Sequence, residues 1–413
     1  MNMRIAWRDT LKNLPFPQGL AVIVITLLAW DGPLQGQAGV EVVTPYDYGA
    51  VGDGIADDST PLQTALNLGK HVALSHGRFR TTRTIQVPAS GSLRGPGLLI
   101  PDFDLLPPEE PGSAAAIVAF SNTLLSGFAI QKPFADGSYA TGIISDHVQN
   151  TAIRGVEISG YSARYGIHII DSENIEITDC YIHDFMMDAS ADMIADSPAG
   201  IRITRTHGGV VSGNRLFNIE VGPNGLQSIS PIRPSYGPQG YQSDHMTIVQ
   251  CSGITIEGNV CRTSGEGIDM LLSRSCVLRG NIISDIWFQG FKMLGVSFSV
   301  ANGNFFSDCY QGIGFAYHSV VDLESSGNST NANVFRDIGS PGSFGIPGSN
   351  RVSFGGAHAI DIHDRDFTRY NNVTDNLAMD TQTIKTTESV VRNGGGDTNV
   401  VENNLFSTEI ELD

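Results

Sequence analysis

Five stretches of this chain follow one template, and that template constrains the fold more than any other feature. A short phrase with apolar second and fourth positions is followed, 14 residues after its first residue, by a turn residue. Gly166-Ile-His-Ile leads to Cys180, Gly200-Ile-Arg-Ile to Asn214, His245-Met-Thr-Ile to Asn259, Gly267-Ile-Asp-Met to Asn281 and Gly290-Phe-Lys-Met to Asn304. The units recur about every 22 residues, too short for a helical pair, and alternate apolar with polar residues. One such unit cannot bury its own apolar side. Stacking on copies of itself can, and that defines a solenoid.

The alternation predicts an all-β chain, a parallel β-helix with short strands on each coil. Gly258-Asn259, Gly280-Asn281 and Gly303-Asn304 mark tight turns where glycine permits left-handed backbone. The asparagines are expected to hydrogen-bond coil to coil as a structural ladder.

The 413 residues carry 43 acidic side chains against 25 lysines and arginines, a formal net charge of −18. That balance excludes nucleic acid as a partner and repels polyanions at long range, so an acidic glycan would need a locally basic groove. Residues 1–38 read as a secretory signal, with Arg4, Arg8 and Lys12 before the apolar run Leu20–Trp30 and small residues at Gly36 and Ala38. The run falls short of the roughly 20 residues of a membrane span, although an uncleaved anchor remains the alternative. The expected mature protein is one domain, residues 39–413, secreted or periplasmic, with no membrane contact after cleavage. Cys180, Cys251, Cys261, Cys276 and Cys309 lack metal-ligand spacing and are expected to be mostly buried thiols. A Cys251–Cys276 or Cys180–Cys261 bridge stays open.

Near the start of that domain, Asp58 or Ser59 can cap a short helix with Pro61 in its first turn and Leu62, Ala65 and Leu66 on its apolar face. The phrase Gly49-Ala-Val-Gly-Asp-Gly-Ile-Ala-Asp-Asp58 resembles the opening of the pectate-lyase superfamily of right-handed parallel β-helices. Ala73–Thr82 and Ser92–Gly97 resemble that family's first coils. The resemblance implies a pectin-lyase-like, right-handed solenoid whose end the short helix caps. Within it Asp53, Asp57 and Asp58 read as turn and cap residues, with calcium binding as the alternative.

Two columns are expected to face outward on the first strand of each coil: His168, Arg202, Thr247, Asp269, Lys292 and Gly314, and, just before the strand, Tyr165, Ala199, Asp244, Glu266, Gln289 and Gln311. Asp244, Glu266 and Asp269 should crowd together with His245 beside them and Arg202 and Lys292 at either end. Like charges that close raise a carboxyl pKa, as a general acid requires. Glycoside hydrolysis needs two such groups. Gln242-Ser-Asp244, Gly265-Glu266 and Phe288-Gln289-Gly290 resemble the acidic phrases of polygalacturonase-like glycoside hydrolases, with Gln289 where that family carries histidine.

About eleven extra residues near Asp188–Ala199 and about twenty-two near Val221–Ser243 interrupt the period. Both fall at the corner before the first strand, so they should frame one groove, with Arg233, Tyr236 and Tyr241 as its wall. The reading is a secreted enzyme that cleaves an extended polysaccharide, with Asp244, Glu266, Asp269 and His245 as catalytic residues. Arg202, Lys292, Tyr241, Gln289, Arg233 and Tyr236 would bind substrate. Hydrolysis needs no cofactor or metal. The alternatives are a lyase or C5-epimerase acting on a uronate polymer, for which calcium could be required, and a non-catalytic glycan-binding surface protein.

Overall fold

The computed structural model describes residues 42–69, 71–103, 115–132, 140–160, 163–187, 199–221, 243–316, 323–339, 357–363, 368–381, 387–394 and 398–407. The expected signal segment, most of both insertions and Arg233, Tyr236 and Tyr241 lie outside these residues. All of the described residues belong to one unit, Glu41–Asp413. No described helix is long and apolar enough to cross a membrane.

Every coil contributes to three stacks of parallel strands. One stack forms a separate 13-stranded sheet, while the other two share a 22-stranded sheet because their strands can run into one another around a corner. The face that matters here is built by β1 (Ala163–Ile170), β2 (Ala199–Thr204), β3 (Asp244–Val249), β4 (Glu266–Leu271), the second halves of β5 (Ile282–Leu294) and β6 (Phe305–Ala316), β7 (His358–Ile362) and β8 (Ser389–Asn393). Their inward residues stack as Ile167, Ile201, Met246, Ile268, Phe291, Ile313 and Ile360, all fully buried. Burying each side chain contributes about 1.5–3 kcal/mol, so the repeated apolar phrase is itself the core.

A glycine column marks the corner. A Cβ on Gly267 would lie 2.3 Å from the Gly290 carbonyl oxygen, and one on Gly290 would lie 2.5 Å from the Phe306 ring. The chain turns where no side chain fits.

The asparagine ladder forms as expected and continues beyond the five units. The backbone and side-chain N–H groups of Asn281 donate to Oδ1 of Asn304 at 3.0 and 2.9 Å. The same double bond links Asn214 to Asn259, Asn259 to Asn281, Asn304 to Asn333, Asn333 to Asn376 and Asn376 to Asn404. Gly258, Gly280 and Gly303 precede it with φ between 61° and 63°.

The short helix α1 (Ser59–Gly69) buries Leu62, Ala65 and Leu66 against the first coils. Asp58 accepts hydrogen bonds from the amides of Val51 and Gly52. Burial would raise the Asp57 pKa, but bonds from Ser59 and Thr82 outweigh it and hold that carboxyl at about 2. All five cysteines are buried and none is bridged, so neither candidate disulfide forms. Burial pushes the Cys180 and Cys251 thiols up to about 12.

Candidate active site

The two outward columns assemble in the expected register. His168 pairs with Arg202, Arg202 with Thr247, Thr247 with Asp269, Asp269 with Lys292 and Lys292 with Gly314. Beside them Tyr165 pairs with Ala199, Ala199 with Asp244, Asp244 with Glu266 and Gln289 with Gln311. Asp244 and Glu266 therefore occupy one corner on adjacent coils, with Asp269 one coil from Thr247.

The acids converge more tightly than alternation alone requires. One carboxylate oxygen from each of Asp244, Glu266 and Asp269 lies within 4.8 Å of the other two. Lys292 Nζ donates to Glu266 Oε2 and Asp269 Oδ2, both at 3.1 Å, and Thr247 Oγ1 donates to Asp244 Oδ2 at 2.7 Å. Each acid keeps one buried oxygen without a hydrogen-bond partner: Asp244 Oδ1, Glu266 Oε1 and Asp269 Oδ1.

The sequence predicts outward-facing columns, but the centre of this stripe is buried. Asp244, Glu266, Asp269 and Lys292 are all no more than 7% exposed. Burial first, and the charge of Asp269 second, lift the Asp244 carboxyl to about 7, against the opposing pull of Lys292, Thr247 and Arg202. Burial also raises Glu266, while Lys292 acts to keep it ionised. For Lys292 itself, burial disfavours the charge, but the three carboxylates outweigh it and raise the ammonium pKa. Burial beside a second acid thus lets Asp244 hold on to a proton that an exposed carboxylate would lose.

His245 does not join them. It occupies the glycine column at the corner, fully buried, with Nε2 3.0 Å from the Arg262 carbonyl oxygen. Burial drops its pKa to about 3, so it stays neutral. Two expected substrate contacts also change character. Lys292 is locked between carboxylates, and buried Gln289 donates from Nε2 to Gln311 Oε1 at 2.7 Å. Arg202 keeps a half-buried position with its guanidinium 5.1 Å from the centre of the Tyr165 ring, and that ring lies 4.7 Å from the His168 ring.

Past Gly314 the stripe continues through residues that the columns read from sequence did not reach. Gly314 pairs with Asp361, and Asp361 with Arg392. Arg392 grips the buried Asp361 carboxylate with Nε and Nη2 at 2.6 and 2.7 Å, while His363 Nε2 lies 2.6 Å from Asp361 Oδ2 and Gln311 Nε2 donates to the same oxygen at 3.1 Å. The signal was present in Ala359-Ile-Asp361-Ile, which repeats the Gly-Ile-x-Ile phrase with alanine in first place.

With coils, ladder and helical cap together, the chain is a right-handed parallel β-helix. Residues 118–231 match the family model described as right handed beta helix region, and residues 187–352 match that of a periplasmic copper-binding protein, NosD. Among curated proteins, a capsule-specific depolymerase of Klebsiella phage K64-1 is 30% identical over 122 residues, and a pre-neck appendage protein of Bacillus phage B103 is 27% identical over 147. These matches cover 26% and 36% of this chain, but only 16% and 14% of those longer relatives. Among solved structures, the DFA-IIIase of Arthrobacter chlorophenolicus A6 without its lid superposes with a TM-score of 0.60 at 12% identity, over 89% of this chain and 98% of its own. The A-module of mannuronan C-5 epimerase AlgE6 from Azotobacter vinelandii gives 0.56 at 13% identity, over 89% and 100%. These likenesses show the right-handed parallel β-helix fold.

Among the described residues, the buried cluster at this site does not fit copper. Copper favours thiolate and imidazole, whereas the buried group at this site is all carboxylate, and every thiol is buried with a raised pKa.

Proposed function

We propose that this exported protein holds a polysaccharide along the stripe and hydrolyses a glycosidic bond at Asp244, Glu266 and Asp269. The supporting observation is the convergence of three buried carboxyl groups, two of them paired with Lys292, with Asp244 lifted to about 7 by burial and by Asp269. A carboxyl group in that range keeps its proton near neutral pH and can give it to the leaving glycosidic oxygen. Glu266 and Asp269, tied to Lys292, supply the second carboxylate, which activates water or attacks the sugar carbon. Lys292 offsets the negative charge left on the cluster when Asp244 gives up its proton. Charge that develops in so dry a site is steadied more strongly than in water.

A second reading is favoured by the Tyr165, His168 and Arg202 group at the neighbouring coils. In a uronate lyase or epimerase, Arg202 would neutralise the substrate carboxylate while Tyr165 or His168 moved a proton. Calcium would enter only under that reading. Incubation with a panel of neutral and acidic glycans, followed by assays for reducing ends and for unsaturated uronate absorbance, separates the readings. New reducing ends without unsaturation are expected. Unsaturated products would replace hydrolysis by elimination, and binding with no product would leave epimerisation or a binding protein.

A further inference from the structure

A further turn column runs along the solenoid at the corner where strands such as β4 end, across the stripe from Asp244 and Glu266. Register aligns nine turn residues there, all left-handed with φ between 52° and 68°. Three asparagines, from Asn122 to Asn174, open the column, and Gly208, Gly253 and Ser275 follow them. Small or amide side chains suit this backbone. Then come Phe298, Gly327 and Tyr370. A bulky side chain at such φ is an outlier, and the turn does not call for one.

Nor do the two rings serve the core. Phe298 is 68% exposed and Tyr370 65%. Strain that the fold does not use points to function. Gly327 supports that reading, because a Cβ there would lie 2.8 Å from Phe298 Cδ1, so only glycine leaves room for this ring to lean across the coil between it and Tyr370. Two coil steps separate the positions, about 10 Å at the spacing of adjacent strands.

We propose that Phe298 and Tyr370 form a second glycan-binding site, in which each ring stacks on the apolar C–H face of a different sugar of one chain. The choice of a glycan rests on the protein being polysaccharide-active, whereas the site itself needs none of the acids. An exposed aromatic ring offers a flat apolar surface, and tyrosine adds a hydroxyl at its wet edge. The Arg369–Glu324 ion pair beside Tyr370 brings donors and acceptors for sugar hydroxyls. A protein partner would need a continuous patch of roughly 800 Å² on each side. Here a glycine divides the rings, and Ser297, Ser326 and Arg369 border them. That spacing suits a ligand that repeats its own apolar faces with hydroxyls between. A polymer thereby gains a second point of attachment, which a short oligosaccharide at the acids does not.

The test replaces each ring by asparagine, which the same column already holds in this backbone, so Phe298→Asn and Tyr370→Asn should melt at or above the wild-type temperature. Binding is measured in the non-cleaving Asp244→Asn background by electrophoresis through gels containing dextran, xylan, inulin, polygalacturonate or alginate. At least one polymer should slow the protein. Each asparagine variant should weaken that binding about tenfold, the double variant should abolish it, and Tyr370→Phe, which keeps the ring, should retain most of it. With the acids intact, the double variant should raise KM for the polymer and leave kcat on short oligosaccharides unchanged. Retardation by none of the five polymers, or equal retardation of the double variant, would overturn the proposal. So would lost turnover of short oligosaccharides, which would merge the rings with the active site, or a wild-type oligomer in sedimentation that the double variant dissociates, which would assign them to a second copy. Products released from a polymer that never slows the protein would remove this site and leave hydrolysis standing. Ring-dependent retardation without any product would keep this site and remove hydrolysis.

Discussion

The asparagine ladder and the acid cluster are both columns of buried polar side chains stacked on the same coils, yet they end in opposite states. In the ladder, Asn281 Oδ1 accepts from the backbone and side chain of Asn259, and its Nδ2 donates to Asn304 and to the Ile256 carbonyl. Each amide meets an identical amide one coil away, so every coil completes the one before it. In the cluster, three buried carboxyl oxygens have no partner, and Glu266 and Asp269 share a single lysine. Complete satisfaction holds a fold together, whereas unpaired oxygen in a dry site is free to receive a proton or a reacting group.

The comparison breaks most sharply in catalysis. Asp244→Asn or Glu266→Gln should lower glycan turnover by about two to four orders of magnitude, the usual worth of a positioned acid or base. The melting temperature should hold or rise, because each change removes buried charge. A variant with normal turnover would place the chemistry elsewhere.

Asn281→Ala should do the reverse. It strands the Asn259 donors and the Ile256 carbonyl and should cost about 2–4 kcal/mol in denaturant unfolding. A loss below 1 kcal/mol, on the order of a surface change, would show that the ladder is not a structural device.

Stability against pH tests the two buried ionisable neighbours, which carry opposite signs. The folded Asp244 pKa, about 7, is raised above 3.8, so its contribution is complete below 3.8 and fades as pH rises through about 7. His245 is lowered from 6.5 to about 3, so its contribution is complete above 6.5 and fades as pH falls towards 3. Melting temperatures of Asp244→Asn should lose the first slope and those of His245→Gln the second. Unchanged slopes would mean that these groups do not titrate as buried ones.

The smallest expected effect is at Gly314, where an added Cβ would lie 2.3 Å from Gln289 Nε2, the movable end of a side chain. Gly314→Ala should cost about 1 kcal/mol, against about 3 kcal/mol for Gly290→Ala, whose Cβ meets the Phe306 ring and the Gly312 carbonyl. Equal costs would erase the distinction between the groove side and the core side of the coil.

Much of this was legible in the chain itself. Period, alternation and the Gly-Asn turns determined the coil, the ladder and the columns that align Asp244 with Glu266 and Asp269 with Lys292, because strand register depends on spacing alone. Spacing does not report depth. Sequence alone therefore left the acids as an outward-facing cluster, put His245 beside them although it shares the inward glycine column, and stopped the columns at Gly314 because Ala359-Ile-Asp361-Ile starts 47 residues after Gly312-Ile-Gly314. Only tertiary structure decided that the centre of the stripe is dry, that Lys292 serves the acids, and that Asp361 and Arg392 extend the column. Burial and ion pairing come from neighbours brought together by stacking, and no local pattern encodes how much water those neighbours leave behind.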